Sequence, residues 1–405
     1  MKVAAIISEY NPFHKGHEYQ IKTLRSILGD DTAIIAIMSG NFTQRGEIAI
    51  ADKSIRARSA IECGVNLVLE LPFPFSMTSA EFFAKSSIKI AEGIGVVDYL
   101  VFGSESGDIN ELSDIAAITT SKEYAMTLES ISEDPEYKDC GYPELCQIAL
   151  GKIYGKEIQR STLSPNNILA IEYIKAISLF GSKITPITIK REGAGYLDII
   201  NPMSAFQSAS AIREELYDLN YSALDYIPNG AKKVYLEAID NHKMPTEVSR
   251  LDYSVISSLR LNSPIEEREI HDAAGGLYNR LCYLSADVTS INGLTAAAET
   301  KKYTKARIRR AIWNSFFGVT SSDVKALPCY TQVLAMDCVG RALLKKIKKD
   351  SSFPVITKPS SYKDYGDDVI RQAELSHRAD SIFGLTMKNP NSGRYPLTFT
   401  PFVKD

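Results

Sequence analysis

Short apolar runs alternate with amphipathic segments along the first 110 residues of the chain. The apolar runs have the length of buried strands, and the segments between them have the apolar periodicity of helices. Strands are predicted at KVAAIIS, TAIIAIMSG, VNLVLELP and VDYLVFG, and helices at residues 15–28, ADKSIRARSAIECG and SAEFFAKSSIKIAEGIG. Uniformly apolar strands that alternate with helices predict right-handed βαβ units and a parallel sheet with helices on both faces.

Beyond this region, PNNILAIEYIKAISLFG predicts another helix and KITPITIKR a further strand of the same sheet. After about residue 245 long amphipathic patterns dominate and strand-like runs are few. A chain of 405 residues is also too long for one ordinary core. We therefore predict an α/β fold, with a Rossmann-like parallel-sheet domain at residues 1–245 and a mostly α-helical domain at residues 246–405.

Composition narrows the choice of protein class. The net charge is −3, so a nucleic-acid site would have to be a local basic patch. The six cysteines contain no CxxC pair, which is typical of a reduced, cytoplasmic protein. The chain has no apolar stretch of about 20 residues and no signal-peptide pattern at its start, so we expect a cytoplasmic location without a membrane partner.

Unusual polar clusters follow four of the predicted strands. His14-Lys15-Gly16-His17 follows the first strand, Gly40 to Glu47 the second, Gly103-Ser104-Glu105 the fourth, and Lys190-Arg191 the later strand. Ligands of doubly wound sheets bind at the carboxyl ends of the strands. These clusters are therefore expected to form one site.

The HKGH cluster has the chemistry of a phosphate site. Gly16 would let the backbone approach a bulky ligand, and the helix that follows points its amides and positive dipole end at that ligand. His14 and His17, three residues apart, lie on one side of the first turn and are suited to donate hydrogen bonds to phosphate oxygens. Two other interpretations are a zinc site, which lacks a third ligand of suitable spacing, and a pair of surface histidines. We predict no metal site, and the absence of GxGxxG argues against NAD.

The His-x-Gly-His motif after a first strand resembles the signature of the nucleotidyltransferase and class I synthetase superfamily. A second signature of that superfamily has a similar counterpart in SASAIR, from Ser208 to Arg213. The hydroxyls of Ser208 and Ser210 and the guanidinium of Arg213 suit the β and γ phosphates of ATP. The paired lysines of the synthetase form are missing here, which leaves Lys15 as a candidate cation. The catalytic residues predicted from this resemblance are His14, His17, Lys15 and Arg213.

A closer resemblance covers residues 1–215 densely and the rest more loosely. SEYNPFHKGHEYQI, MSGNFTQRGEIAIADK, LELPFPFS, FGSE, PNNILAIEYI and KREGAGY look like the bacterial tRNA(Met) cytidine acetate ligase family. The resemblance implies that ATP, with Mg²⁺, activates acetate as acetyl-adenylate. The acetyl group would then pass to N4 of the wobble cytidine in the anticodon loop of elongator tRNA(Met). It also implies that residues 1–245 bind ATP and residues 246–405 bind tRNA.

The same resemblance implies a set of ATP contacts. Gly103, Arg191 and an asparagine of Pro165-Asn166-Asn167 belong to this set; we prefer Asn166, although either asparagine could simply cap a helix. Gln44, Arg45 and Glu47 are candidates for holding acetate or the target cytosine, or form a solvated loop. The main stretch comprises Ile7, Ser8, Glu9, Tyr10, Asn11, Pro12, Phe13, His14, Lys15, Gly16, His17, Glu18, Tyr19 and Gln20.

A basic run at residues 301–310 is the candidate tRNA contact. On a helix, Lys302, Lys305 and Arg309 would line one side, while Ala306, Ile308 and Ile312 face a core. A second basic run, LLKKIKKD, follows at residues 343–350. Such runs are local footprints of a phosphate backbone or solvated helix faces, and the resemblance favours tRNA.

Two other functions fit the motifs. A small-molecule nucleotide adenylyltransferase would use the same site but would leave the C-terminal residues unexplained. A non-catalytic RNA-binding protein on the same fold would not need the intact HKGH and SASAIR sequences.

Overall fold

The computed structural model describes residues 1–138, 140–155, 160–191, 206–261 and 269–405. Its centre is a sheet whose strands alternate with helices, as the apolar pattern predicts. The strands are β1 Val3–Ser8, β2 Ala33–Ser39, β3 Leu67–Leu71, β4 Tyr99–Ser104, β5 Thr185–Lys190, β6 Thr331–Met336, β7 Val355–Ile356 and β8 Phe402–Val403. Within the described residues their order is β5-β4-β1-β2-β3-β6-β7, and β8 also pairs with β6.

The five N-terminal strands are parallel, so the α/β prediction is confirmed. The sheet is mixed, however, because β6 runs antiparallel to β3. The hydrophobic pattern predicts few strands after residue 245, yet β6, β7 and β8 all extend the N-terminal sheet. These runs are short and pair only through tertiary contacts, which periodicity does not reveal. The domain division at residue 245 stays a prediction.

Helices cover both faces of the sheet and build most of the C-terminal half. In chain order they are α1 Lys15–Leu28, α2 Lys53–Glu62, α3 Ala80–Gly93, α4 Ile109–Thr119, α5 Lys122–Glu133, α6 Tyr142–Tyr154, α7 Pro165–Leu179, α8 Ala209–Tyr217, α9 Asn229–Asp240, α10 Asp252–Leu261, α11 Leu277–Leu284, α12 Ile291–Ala298, α13 Lys305–Phe317, α14 Ser321–Lys325, α15 Cys338–Asp350, α16 Asp367–Phe383 and α17 Tyr395–Thr398. None of the helices in these described ranges is long and apolar enough to cross a lipid bilayer.

The core divides along the sheet because successive strand residues point to opposite faces. Val3 and Ala5 of β1 pack with α3, α4, α7 and α15, whereas Ala4 and Ile6 pack with α1, α2, α8 and α9. A third cluster joins α10 to α13 and α16 to Phe42 and Phe73, which follow β2 and β3. The helical half thus packs on the loops at the carboxyl ends of the strands, where the site is expected.

Candidate active site

A cavity of about 630 Å³ opens at the carboxyl ends of β1, β2, β4 and β5. The four polar clusters predicted from the sequence all contribute to its wall, as do the first turns of α1, α3, α7 and α8. Four helix N-termini at one cavity create a positive potential that favours a polyanion. Fourteen of the predicted site residues line it, namely Ile7, Ser8, Glu9, Tyr10, Asn11, His14, His17, Gln20, Gly103, Asn166, Arg191, Ser208, Ser210 and Arg213.

The two histidines form one capping unit at the start of α1. The His14 Nδ1 atom accepts from the Gly16 amide at 3.0 Å, and the His17 Nδ1 atom accepts from the His14 amide at 3.1 Å. The rings stack with their centroids 3.8 Å apart. A Cβ atom on Gly16 would lie 2.9 Å from the His14 ring, so a larger residue here would displace that ring. The glycine therefore makes room for the cap, in addition to the predicted approach of a ligand.

These contacts determine the protonation of both imidazoles. A nitrogen that accepts an amide proton cannot carry one, so each neutral ring bears its proton on Nε2. Burial, together with the positive charges of Arg191 and Arg213, lowers the pKa of His14 to about 3. Burial, His14 and Arg191 likewise lower the pKa of His17 well below its ordinary value. Near neutral pH both rings are therefore neutral Nε2–H donors.

Arg213, the last residue of SASAIR, is held over the cavity by three acceptors. Its guanidinium donates to the Asn11 carbonyl oxygen at 2.8 Å, to Glu47 at 3.1 Å and to the Ser210 hydroxyl at 3.3 Å. Ser208 caps α8, its Oγ atom accepting from the Ala211 amide at 3.0 Å. The two predicted signatures, almost 200 residues apart in the chain, thus meet at one wall.

Glu105, after β4, organises the opposite wall. Its carboxylate accepts from the Asn166 side chain at 2.5 Å, the Ser164 hydroxyl at 2.7 Å and the Asn167 amide at 3.1 Å. Asn166 lines the cavity. Asn167 is buried, and its side-chain oxygen accepts from the Glu105 amide at 2.9 Å. The choice of Asn166 as the ATP contact stays a prediction, and Asn167 has a structural role in fixing this loop.

Gly103 and Arg191 lie together beside Glu105. A Cβ atom on Gly103 would lie 3.2 Å from Cγ of Arg191, so the glycine leaves room for the arginine across the end of β4. Arg191 Nε lies 3.9 Å from the Glu105 carboxylate, and half of its side chain is exposed. The arginine is therefore oriented toward the cavity by only a weak ion pair, which leaves it available to an anion.

Six predicted ATP-binding residues do not line the cavity. Phe13 is buried in the core, and its amide donates to the Tyr235 hydroxyl at 2.8 Å. Lys15 is exposed, so its proposed catalytic role requires the side chain to swing toward a ligand. The six residues are Pro12, Phe13, Lys15, Gly16, Glu18 and Tyr19.

Comparisons with known proteins agree with this geometry. The family model described as HIGH Nucleotidyl Transferase matches residues 1–395. The tRNA(Met) cytidine acetate ligase of Thermoanaerobacter sp. (strain X514) is 35% identical over 397 residues, 96% of each chain, and that of Acetivibrio thermocellus is 36% identical over 415 residues, 99% of each chain. The chain belongs to the tRNA(Met) cytidine acetate ligase family. A crystal structure of Thermotoga maritima TmcAL bound with alpha-thio ATP matches with a TM-score of 0.90 and 29% identity, covering 100% of this chain and 99% of that one.

The apolar part of the cavity wall in this member of the ligase family is not predicted from the sequence. Phe83, Phe102 and Tyr173 line the cavity together with Ile168 and Leu169. On the helices and strand that carry them they follow the same periodicity as core residues, so no sequence signal separates the two roles. The sequence places Glu105 in a polar cluster after the fourth strand, but it does not predict the contacts of Glu105 with α7.

The predicted tRNA contacts occupy different environments. Helix α13 begins at Lys305, so Lys302 precedes it in a turn and donates to the Gly275 carbonyl oxygen at 3.1 Å. Lys305 is exposed and lies 3.6 Å from Glu299. Arg309 instead reaches Glu47 at the cavity wall, at 2.6 Å. Ile308 and Ile312 are buried, as the helical pattern predicts, whereas Ala306 is only half-buried.

The loop between Gly40 and Glu47 is fixed against α13. The Trp313 indole donates to the Gly46 carbonyl oxygen at 3.1 Å, and Arg310 donates to that of Gln44 at 3.3 Å. Gly46 has a φ of +72°, and a Cβ atom there would lie 2.6 Å from the Arg310 amide. The interpretation of GNFTQRGE as a solvated loop is therefore wrong, because it is packed between the cavity and the basic helix.

Proposed function

We propose that this chain is an ATP-dependent tRNA(Met) cytidine acetate ligase. It activates acetate as acetyl-adenylate and acetylates N4 of the wobble cytidine of elongator tRNA(Met). The observation that carries the proposal is the pair of neutral Nε2–H imidazoles, His14 and His17, at a helix N-terminus beside Arg213. The family supports the substrates, and the cavity supports the phosphate chemistry.

In the first step an acetate oxygen attacks the α-phosphorus of ATP and pyrophosphate leaves. Charge builds on the phosphoryl oxygens as the transition state forms. His17 donates to an α-phosphate oxygen and His14 to the neighbouring oxygens, while the dipole of α1 adds positive potential. Because neither ring needs to gain or lose a proton, the site is preorganised for this charge.

Arg213, Ser210 and Ser208 bind the β and γ phosphates, and Arg213 follows the leaving pyrophosphate. Their position at the start of α8 supports this role, since hydroxyls, a guanidinium and a helix N-terminus all favour phosphate. Lys15 joins them once ATP is bound. We expect Mg²⁺ to enter with the triphosphate and to neutralise part of its charge.

Gly103, Arg191 and Asn166 complete the ATP contacts on the opposite wall. Residues 246–405 bind the anticodon stem and loop of the tRNA, with Lys302, Lys305 and Arg309 near its phosphates. The wobble cytidine lies in a single-stranded loop, so it can leave its stack at little cost and enter the cavity. The reaction takes place in the cytoplasm.

The test is pyrophosphate release from ATP with acetate, measured with and without tRNA(Met). We expect acetate-dependent release, and we expect His17→Ala to reduce it by about 10²- to 10³-fold, since one preorganised donor to the transition state is lost. His242→Asn is the matched control, because His242 is exposed and its φ of +58° suits asparagine. Turnover with a mononucleotide acceptor, but none with acetate, would overturn the proposal.

The tRNA surface is tested separately. Lys302→Glu with Lys305→Glu is expected to weaken tRNA binding at least tenfold at low salt, because two favourable phosphate interactions become repulsive. Acetyl-adenylate formation in this variant stays at the wild-type rate. Unchanged tRNA affinity would contradict the assignment of this surface.

A further inference from the structure

Among the residues that the structure describes, three carboxylates line the cavity, and two of them accept hydrogen bonds on both oxygens. Glu47 accepts from Arg213 and Arg309, one arginine on each of its oxygens. Glu105 accepts from Asn166 on one oxygen and from Ser164 and Asn167 on the other. Both are therefore poor proton acceptors, since protonation would break charge-assisted hydrogen bonds that hold the cavity wall.

Glu9, the residue directly after β1, is different. Its Oε1 atom accepts from the Gln44 amide at 2.8 Å. In the part of the chain that the structure describes, Glu9 has no further side-chain hydrogen bond and no ion pair. Its backbone carbonyl accepts from Arg56 at 2.6 Å, which fixes the position of this cavity-lining residue.

The surroundings of Glu9 make its carboxylate more basic. Burial raises the pKa of Glu9, the Gln44 amide and the positive charges of Arg213 and Arg45 lower it, and the nearby Glu47 raises it again. Raised basicity is what general base catalysis near neutral pH requires.

Two further groups complete this environment. Arg56 and Tyr173 also lie close enough to sense the charge of Glu9. Burial raises the pKa of Tyr173 far above neutrality, so this phenol stays protonated and does not compete with Glu9 for a proton.

The second step of the proposed reaction needs a base. The N4 amine of cytidine attacks the carbonyl carbon of acetyl-adenylate, a new C–N bond forms, and the C–O bond to the phosphate of AMP breaks. AMP leaves with the electron pair of that bond, and one proton must leave N4. The imidazoles of His14 and His17 cannot take this proton, because each Nδ1 already accepts an amide and each Nε2 already carries hydrogen.

We propose that Glu9 is the general base that accepts the N4 proton on Oε2 during acetyl transfer. The inference rests on the proposed function and adds a catalytic role to a residue otherwise expected only to contact ATP. It also separates the two half-reactions by residue, with histidines serving adenylate formation and Glu9 serving acetyl transfer.

The experiment measures both half-reactions in Glu9→Gln. Acetate-dependent exchange of pyrophosphate into ATP is expected to fall by no more than about tenfold through a weakened contact with ATP, because the amide keeps the size and the acceptor oxygen of the side chain. Single-turnover acetyl transfer from preformed acetyl-adenylate to tRNA is expected to fall about 10²- to 10⁴-fold, the usual contribution of a general base. Glu129→Gln, an exposed substitution on α5, is the matched control and changes neither rate.

The pH profile adds a readout that a structural role would not change. The wild-type rate of acetyl transfer should rise with pH as one group ionises. The transfer rate of Glu9→Gln should not show this rise, whereas Glu9→Asp should show it with a lower maximal rate. Equal losses of exchange and transfer in Glu9→Gln, or wild-type transfer, would overturn the assignment. If wild-type enzyme shows no acetate-dependent exchange, the proposed function fails instead. If Glu9→Gln does not fold, the pH profile of acetyl transfer in Glu9→Asp is the test. A transfer rate in Glu9→Asp that does not rise with pH contradicts the proposal.

Discussion

Arg309 of α13 donates to the Glu47 carboxylate at 2.6 Å across the boundary between the helical half and the cavity. The other oxygen of the same carboxylate accepts from Arg213 at 3.1 Å. A residue from the predicted tRNA surface and a residue from the predicted phosphate site therefore share one carboxylate. The two predicted binding surfaces are therefore connected through Glu47.

Arg309→Ala is expected to weaken ATP binding as well as tRNA binding. Without Arg309, the charge of Glu47 acts on Arg213 alone and draws that guanidinium away from the phosphates. A part-exposed ion pair contributes about 1 kcal/mol, so the KM for ATP in adenylate formation should rise about fivefold. Lys305→Ala is the control, since Lys305 is exposed and should change the KM for tRNA alone. An unchanged KM for ATP in Arg309→Ala would mean that Arg309 serves only the RNA surface.

The neighbouring asparagines of α7 should respond differently to truncation. Asn167→Ala removes the acceptor of the Glu105 amide, and we expect a loss of about 2 kcal/mol in the free energy of unfolding. Asn166→Ala should change that free energy by less than about 0.5 kcal/mol but raise the KM for ATP severalfold. Urea denaturation and pyrophosphate exchange measure the two effects. The reverse pattern would assign the ATP contact to Asn167.

A buried ion cluster stabilises the loop after β2. The Lys53 ammonium lies 2.7 Å from Glu70 and 2.5 Å from Asp380, and all three side chains are at most 5% exposed. Asn41 joins the cluster by donating to Asp380 at 2.9 Å. Burial raises the pKa of Glu70 to about 7, although the positive charge of Lys53 lowers it.

Lys53→Met should destabilise the protein strongly. It leaves two buried carboxylates without a cation, and breaking such a cluster costs about 3–5 kcal/mol in the free energy of unfolding. The triple variant Lys53→Met, Glu70→Gln, Asp380→Asn should recover much of this loss, because none of the three positions then carries a buried charge. Urea denaturation at pH 7 compares the two. A triple variant less stable than the single one would show that the charges are net stabilising.

His377 on α16 should make stability depend on pH. Burial, with Lys53 nearby, lowers the pKa of His377 to about 4, so the unfolded state takes up the proton first as the pH falls. The neutral His377 ring contributes fully to the free energy of unfolding above the pKa of about 6.5 that histidine has in the unfolded state. This contribution is lost as the pH falls from about 6.5 toward about 4. Between pH 7 and pH 5 the free energy of unfolding should drop by about 1 to 2 kcal/mol from this group.

His377→Gln should reduce that drop, while His242→Asn, at an exposed histidine, should leave it unchanged. Urea denaturation at pH 7 and pH 5 gives the comparison. An equal drop in wild type and His377→Gln would assign the pH dependence to other groups, such as the buried His14.

What the sequence determined by itself is largely local. The parallel sheet follows from apolar runs, and the His14–His17 cap lies within one helical turn, where its hydrogen bonds join residues at most three positions apart. Spacing alone therefore placed both imidazoles at a helix N-terminus. The meeting of the polar clusters at one edge of the sheet also followed, because the carboxyl ends of parallel strands lie on the same side.

Only the tertiary structure decided which groups share a partner. Glu47 and Arg309 are 262 residues apart, and nothing in either segment specifies the other. The antiparallel addition of β6 brings the C-terminal half against the sheet, and the packing of α13 on the loop after β2 then brings this pair together. The distinction between Asn166 and Asn167, and the free oxygen of Glu9, arise in the same way, since they depend on contacts between elements and not on the order of residues within one.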